Sequence, residues 1–186
     1  MAAIDAVHAE DPNRMLVDGV DRPAELVHAE LVTSWVQRLD PAADEAQLLA
    51  ARAAHLRRWD LRRDAYPDGR SGYLRWRTTQ KRRHGEEVAR ILRDLGRDEA
   101  LVERVEAIVA KQGLGTDPAV QTHEDALCLT FLVTDYEDLA ERLGEERTVE
   151  VLRRTLAKMS EPGRAAALDL TLPPGGRELL ERALAR

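Results

Sequence analysis

Three histidines and one aspartate have the residue types and spacing to hold a metal ion: His28, His55, His84 and Asp125. Neutral imidazole and carboxylate suit first-row divalent ions, and a helical bundle can converge such ligands from separate helices. An ion held this way lowers the pKa of a coordinated water and polarises a scissile group. Glu86 and Glu87, just beyond His84, are candidates for a further carboxylate or a catalytic base. A plainer reading stays open for each histidine, in which the ring packs at the core margin and hydrogen-bonds locally. Glu25-x-x-His28 also has the spacing seen on the helices of di-iron bundles, but no second helix repeats it.

The second chemical feature is a charge segregation. The chain has 186 residues with 28 Lys and Arg against 34 Asp and Glu, a net charge of -6. Between Arg52 and His84, eleven cations face only Asp60, Asp64 and Asp68, a net of +8, so the rest of the chain carries -14. Ten of the eleven cations are arginine, and the window also holds Trp59, Tyr66, Tyr73 and Trp76. Arginine grips phosphate or carboxylate in bidentate fashion and stacks on aromatic faces, so this mixture suggests a shaped anion pocket. Arg57, Arg58, Arg75 and Arg77, with Trp59, Tyr73 and Trp76, are its candidate residues. The competing reading pairs these arginines with acids elsewhere, including Glu103, Glu106, Asp135, Glu137 and Asp138. Aromatic and basic residues also bind single-stranded nucleic acid, yet the acidic remainder and the lack of a nucleic-acid motif rank that partner below a small anion.

The elements that must position these groups read as helices almost throughout. Apolar residues recur at helical spacing and no stretch alternates as a strand should, so the expected fold is all-α. A first helix opens near Asp21-Arg22-Pro23 and stops at Asp40-Pro41. A second runs from about Ala42 to Trp59, and Tyr66-Pro67-Asp68-Gly69 leads a loop that ends at Gly72. A third runs from about Tyr73 to Leu95 and is closed by Gly96, and a fourth from Asp98 to Gln112. The fifth carries Ala126 to Val133, apolar nearly all round, which suits the centre of a bundle. A sixth follows Gly144, and Ser160-Glu161-Pro162 with Leu172-Pro173-Pro174-Gly175-Gly176 brackets two short terminal helices. The expected organisation is one compact domain: residues 1–20 as a lead, 21–143 as a five-helix core, and 144–186 as C-terminal helices.

The order His28, His55, His84, Asp125 resembles the HD-domain superfamily of metal-dependent phosphohydrolases, whose pattern is His, a His-Asp pair, often another His, then Asp. In this chain Leu56 stands where the Asp of the pair belongs. A closer resemblance, over most of the chain, is to the domain of unknown function 4202. It runs through Ala3-Ile4-Asp5-Ala6 with Asp11-Pro12, Ala53-Ala54-His55-Leu56-Arg57-Arg58-Trp59, Tyr66-Pro67, Gly72-Tyr73-Leu74-Arg75-Trp76-Arg77, His84, and Glu124-Asp125-Ala126-Leu127-Cys128-Leu129. This resemblance implies that the His-Leu pair is the family's own pattern.

Together these features lead to an expected HD-like helical bundle that binds a divalent metal ion and hydrolyses a small phosphorylated or anionic substrate. The alternative is a non-catalytic module binding an anion, nucleotide or RNA. One cysteine, Cys128, allows no internal disulfide and sits in the most apolar stretch, where an inert thiol is expected. The early acids of the N-terminus and the absence of a long apolar run predict a cytoplasmic protein with no membrane partner.

Overall fold

The computed structural model describes residues 1–172 and 175–185, with the backbone alone for 136–139. Pro173 and Pro174, expected to bracket the last helices, therefore lie outside the described residues, as do the side chains of Glu137 and Asp138. The architecture is a compact helical domain with one small hairpin. Its helices are α1 (Ala2–His8), α2 (Ala24–Leu39), α3 (Glu45–Arg52), α4 (Gly69–Asp94), α5 (Glu99–Val109), α6 (Pro118–Thr134), α7 (Tyr136–Leu143), α8 (Glu145–Leu156), α9 (Glu161–Leu168) and α10 (Gly176–Leu184).

Local chemistry sets many of these boundaries. Asp44 and Gln47 form a reciprocal capping box at the start of α3, and the Asp98, Asp117 and Ser160 side chains cap α5, α6 and α9. Proline follows Asp117 and occupies the first turn of α6, where its missing N–H costs nothing. The α6 helix buries residues on every side, from Val120 and Glu124 to Leu129 and Leu132, as a central helix must.

Two apolar clusters flank that helix. One gathers Ile4, Leu49, Leu56, Val88, Leu92, Val105 and Ile108 from α1, α3, α4, α5 and the turn after α3. The other gathers Leu129, Leu132, Leu152, Leu156 and Leu180 from α6, α8 and α10. Val32, Val36, Ala51, Ala54 and Ala126 join α2 and α3 to α6 between them.

The lead segment differs from expectation. Arg14–Val17 (β1) pairs antiparallel with Val20–Pro23 (β2) through a two-residue Asp18-Gly19 turn, both of whose residues have positive φ. Asp-Gly is a strong hairpin signal, because the turn that matches strand twist needs positive φ at both positions. The first long helix consequently opens at Ala24, after the hairpin, and α1 precedes it.

The second expected helix is also shorter, ending at Arg52 instead of Trp59. His55 and Arg57 take left-handed backbone conformations (φ 58° and 51°), which no α-helix accommodates, and Arg58–Asp60 and Arg63–Ala65 form single 3-10 turns. The third helix starts at Gly69, four residues before Tyr73. Gly72 makes that possible: a Cβ there would lie 1.8 Å from the Pro67 carbonyl oxygen.

Candidate metal and anion site

Helix α2 brings the first two ligand candidates into place. Its N-terminal backbone is held from outside by Asp11, whose carboxylate accepts hydrogen bonds from the backbone N–H groups of Glu25 (2.9 Å) and Asn13 (2.9 Å). Glu25 and His28 then lie one turn apart on the same face. The left-handed turn after α3 brings the His55 ring to the same carboxylate.

Glu25, His28 and His55 offer ligand atoms that all lie within 4.8 Å of one another. Both Nδ1 atoms approach Glu25 Oε2, His28 at 3.4 Å and His55 at 3.5 Å. These separations are long for a hydrogen bond. They match the spacing of about 3.3 Å between ligand atoms around a tetrahedral ion with bonds of about 2.0–2.1 Å. Two imidazoles and one carboxylate are a donor set used for zinc and iron, with positions left open for water or substrate. The triad could therefore hold a metal ion.

The electrostatics of the triad favour an ionised carboxylate between two rings. Burial would raise the Glu25 carboxyl, but the polar contacts and charge of His28 and His55 outweigh it and hold Glu25 well below the usual carboxylate range. Burial would likewise lower the His28 imidazole, yet Glu25 raises it above its ordinary value. His55 moves the other way, lowered by burial and by the Arg58 guanidinium. An Arg58 Nη1–H donates toward His55 Nε2 at 3.3 Å, and an arginine can only donate, so the remaining ring hydrogen of a neutral His55 sits on Nδ1, facing Glu25.

The other sequence candidates are distributed as follows. His84, on α4, stands beside His55 with ring centroids 5.9 Å apart. Burial and the nearby His55 and Arg58 push its pKa well down, its Nε2 has no hydrogen-bond partner among the described residues, and it is not one of the three residues whose ligand atoms come together. Asp125 is not brought to the triad. Its carboxylate accepts hydrogen bonds from Gln121 Nε2 (2.9 Å), the Ser160 backbone N–H (3.0 Å) and the Ser160 hydroxyl, joining α6 to the start of α9. Leu56 is fully buried in the apolar core.

Glu86 pairs with Arg82 at 2.7 Å, and Glu87 takes Arg57 at 3.1 Å and Arg90 at 2.7 Å. Neither glutamate belongs to the triad. Arg57 is further engaged by Glu10, and Arg75 is exposed on α4.

Two cavities lie beside the triad, one lined by its His55 and the other by its Glu25. The deeper, of about 250 Å³, is lined by His55, Arg58, Tyr73, Trp76, Arg77 and His84 together with residues of α6 and α8. The wider, of about 460 Å³, includes Glu25, Arg58, Trp59, Arg62, Arg63 and Trp76. Arg58 and Trp76 line both, with the Arg58 guanidinium 5.3 Å from the Trp76 ring centroid. Trp76 is fixed by its indole N–H, which donates to the Leu61 carbonyl at 2.9 Å, and Arg77 lies over the Tyr73 ring at 5.7 Å. Of the seven anion-site candidates, Arg58, Arg77, Trp59, Tyr73 and Trp76 line one or both of these cavities, and Arg57 and Arg75 line neither of the two.

Several wall residues were not singled out by the sequence. Lys111 and Lys158 both bond Glu124, Lys158 at 2.9 Å, at the α6 side of the deeper cavity. Burial would raise Glu124, but the two lysines outweigh it and hold the carboxyl at about 2. His123, beside it, is lowered to about 3 by burial and by Lys111. Burial pushes the Cys128 thiol up to about 11, as suits an unreactive core cysteine.

Among the described residues no helix is long and apolar enough to cross a membrane. A family model described as a domain of unknown function (DUF4202) matches residues 1–180. No curated protein and no solved structure matches the chain.

Proposed function

We propose, for a chain that belongs to the DUF4202 family, a metal-dependent hydrolase of a small phosphorylated or otherwise anionic substrate, HD-like in drawing its histidines from successive elements. The observation that carries the proposal is the Glu25-His28-His55 triad, whose His55 lines a cationic cavity and whose Glu25 lines a wider cleft that shares Arg58 and Trp76 with it. A divalent ion bound there would supply a water of lowered pKa and neutralise charge developing on the scissile group.

The chain's own residues do the rest. Glu25 holds both imidazoles in register, and His84, outside the triad, sets its neutral ring beside that of His55. Arg58 and Arg77 receive the anionic group, and the Trp76 and Tyr73 rings hold those guanidiniums in place by cation–π contact. The buried walls limit solvent, which strengthens these charge contacts.

The experiment is metal loading followed by turnover. The purified protein is expected to bind one equivalent of a first-row divalent ion and to release phosphate from members of a panel of small phosphate esters in a chelator-sensitive way. His55→Ala and Glu25→Gln should each weaken metal binding by more than the about 10–100-fold caused by loss of an outer-shell partner. Absence of divalent-ion binding, or phosphate release indifferent to chelator and to His55→Ala, would overturn the proposal. Ligand-induced stabilisation that survives chelator, without turnover, would favour the non-catalytic anion-binding module instead.

A further inference from the structure

The deeper cavity carries more positive charge than a metal-bound scissile group needs. Its charged walls are Arg58, Arg77, Lys81, Lys111 and Lys158, and Glu124 is the one carboxylate among its described lining residues. Arg58 adjoins the triad through His55, whereas Lys111 and Lys158 close on Glu124 at the α6 side. Glu124 is 2% exposed and Lys111 14% exposed, while Lys158 keeps 37% of its side chain exposed, so the cluster runs from the interior to solvent. One carboxylate shared between two ammonium groups leaves a positive charge over, which an anion entering the cavity would neutralise.

Lys111 has φ 57° because it closes α5: its N–H donates to the Ile108 carbonyl at 3.0 Å and the Gln112 N–H to the Ala107 carbonyl at 2.9 Å, the paired bonds of a left-handed helix end. That end places the Lys111 side chain on Glu124. Among the described residues, the buried ring nitrogens His84 Nε2 and His123 Nδ1 have no hydrogen-bond partner, and both rings line this cavity.

We infer that Lys111 and Lys158, on either side of Glu124 and with Lys81 lining the same cavity, form a second anion subsite that holds a phosphate group remote from the one presented to the metal triad. The subsite stands on its own geometry; the substrate class it implies rests on the hydrolase reading. That class is a compact bisphosphorylated molecule, since the cavity, at about 250 Å³, lies just below the range of about 300–1,000 Å³ typical of ligand pockets.

Calorimetric titration with inorganic phosphate, on metal-loaded and on metal-free protein, separates this subsite from the triad. Phosphate should bind both forms, and His55→Ala should lose metal while retaining phosphate. Lys158→Gln should retain metal stoichiometry and lose at least about tenfold in phosphate affinity, the scale of one charge-assisted contact, with Lys158→Arg restoring most of it. Lys81→Gln leaves the lysine–glutamate pairing intact and gives an independent reading, with a similar loss expected. A pentose bisphosphate should bind the metal-loaded protein more tightly than the monophosphate, and Lys158→Gln should remove that advantage. Unchanged phosphate affinity in both variants overturns the subsite and leaves the metal reading standing. Joint loss of metal and phosphate in His55→Ala also overturns it, by showing a single site.

Discussion

At the scale of single residues, the chemistry turns on protons held between Glu25 and two imidazoles. A metal ion at His28 Nδ1 displaces the proton that a charged His28 ring carries there, so uptake by the charged form releases it, whereas a neutral His55 ring binds through Nδ1 only by shifting its hydrogen to Nε2. His28 is raised above its ordinary pKa by Glu25, so falling pH keeps its ring charged and metal affinity drops. We expect metal affinity to be fullest above the raised His28 value and to fall steadily on acidification through it, read as the midpoint of metal titrations at several pH values. A flat profile would show that His28 is not a ligand. Part of this arrangement is legible in the chain, because Glu25-x-x-His28 places two donors on one helical face and the basic window marks Arg58 and Arg77. Lys111 and Lys158 are not, since each is a lone lysine, 47 positions apart, and only the packing of α6 brings them to one carboxylate.

At the scale of elements, the site depends on how helices begin and end. Asp11 caps the start of α2 from the lead segment, so Asp11→Ala should cost about 1 kcal/mol, as loss of a cap does, and should also weaken metal binding by loosening Glu25. Chemical denaturation with a parallel metal titration checks both; a stability loss with unaltered metal affinity would limit Asp11 to a structural part. Gly72→Ala should be more damaging, since the new Cβ cannot coexist with the Pro67 carbonyl and the first turns of α4 carry Tyr73, Trp76 and Arg77. A drop in Tm of several degrees is expected, equivalent to at least about 1 kcal/mol. The long periodic helices are legible from apolar spacing alone. The end of α3 is not, because the apolar pattern continues through Leu56 and Trp59 while the backbone turns left-handed at His55 and Arg57. The hairpin is too short for its alternation to register, and its Asp18-Gly19 turn is the usable signal.

At the scale of the whole molecule, two apolar clusters meet along α6, and the cavity opens between them with a buried charge cluster on its wall. Glu124 is held at about 2, below its unfolded value of 4.5. A depressed carboxyl contributes stability that is complete above the unfolded pKa and is lost as pH falls through the folded one. Tm should therefore decline as pH drops from about 4.5 towards 2, and Glu124→Gln should flatten part of that decline. If the variant follows the parent curve throughout, the cluster does not govern acid stability.

Adjacent residues of α6 engage different contacts: Glu124 joins the lysines of the cavity wall, and Asp125 binds Ser160 against α9, where Gly163 leaves no room for a side chain. Lys158 and Ser160 lie two residues apart in the segment between α8 and α9. An anion that draws Lys158 inward therefore also tightens the segment leading into the C-terminal helices. Occupancy of the cavity should be visible from outside, as slower amide exchange and slower protease cleavage between residues 157 and 170, far along the chain from the histidines.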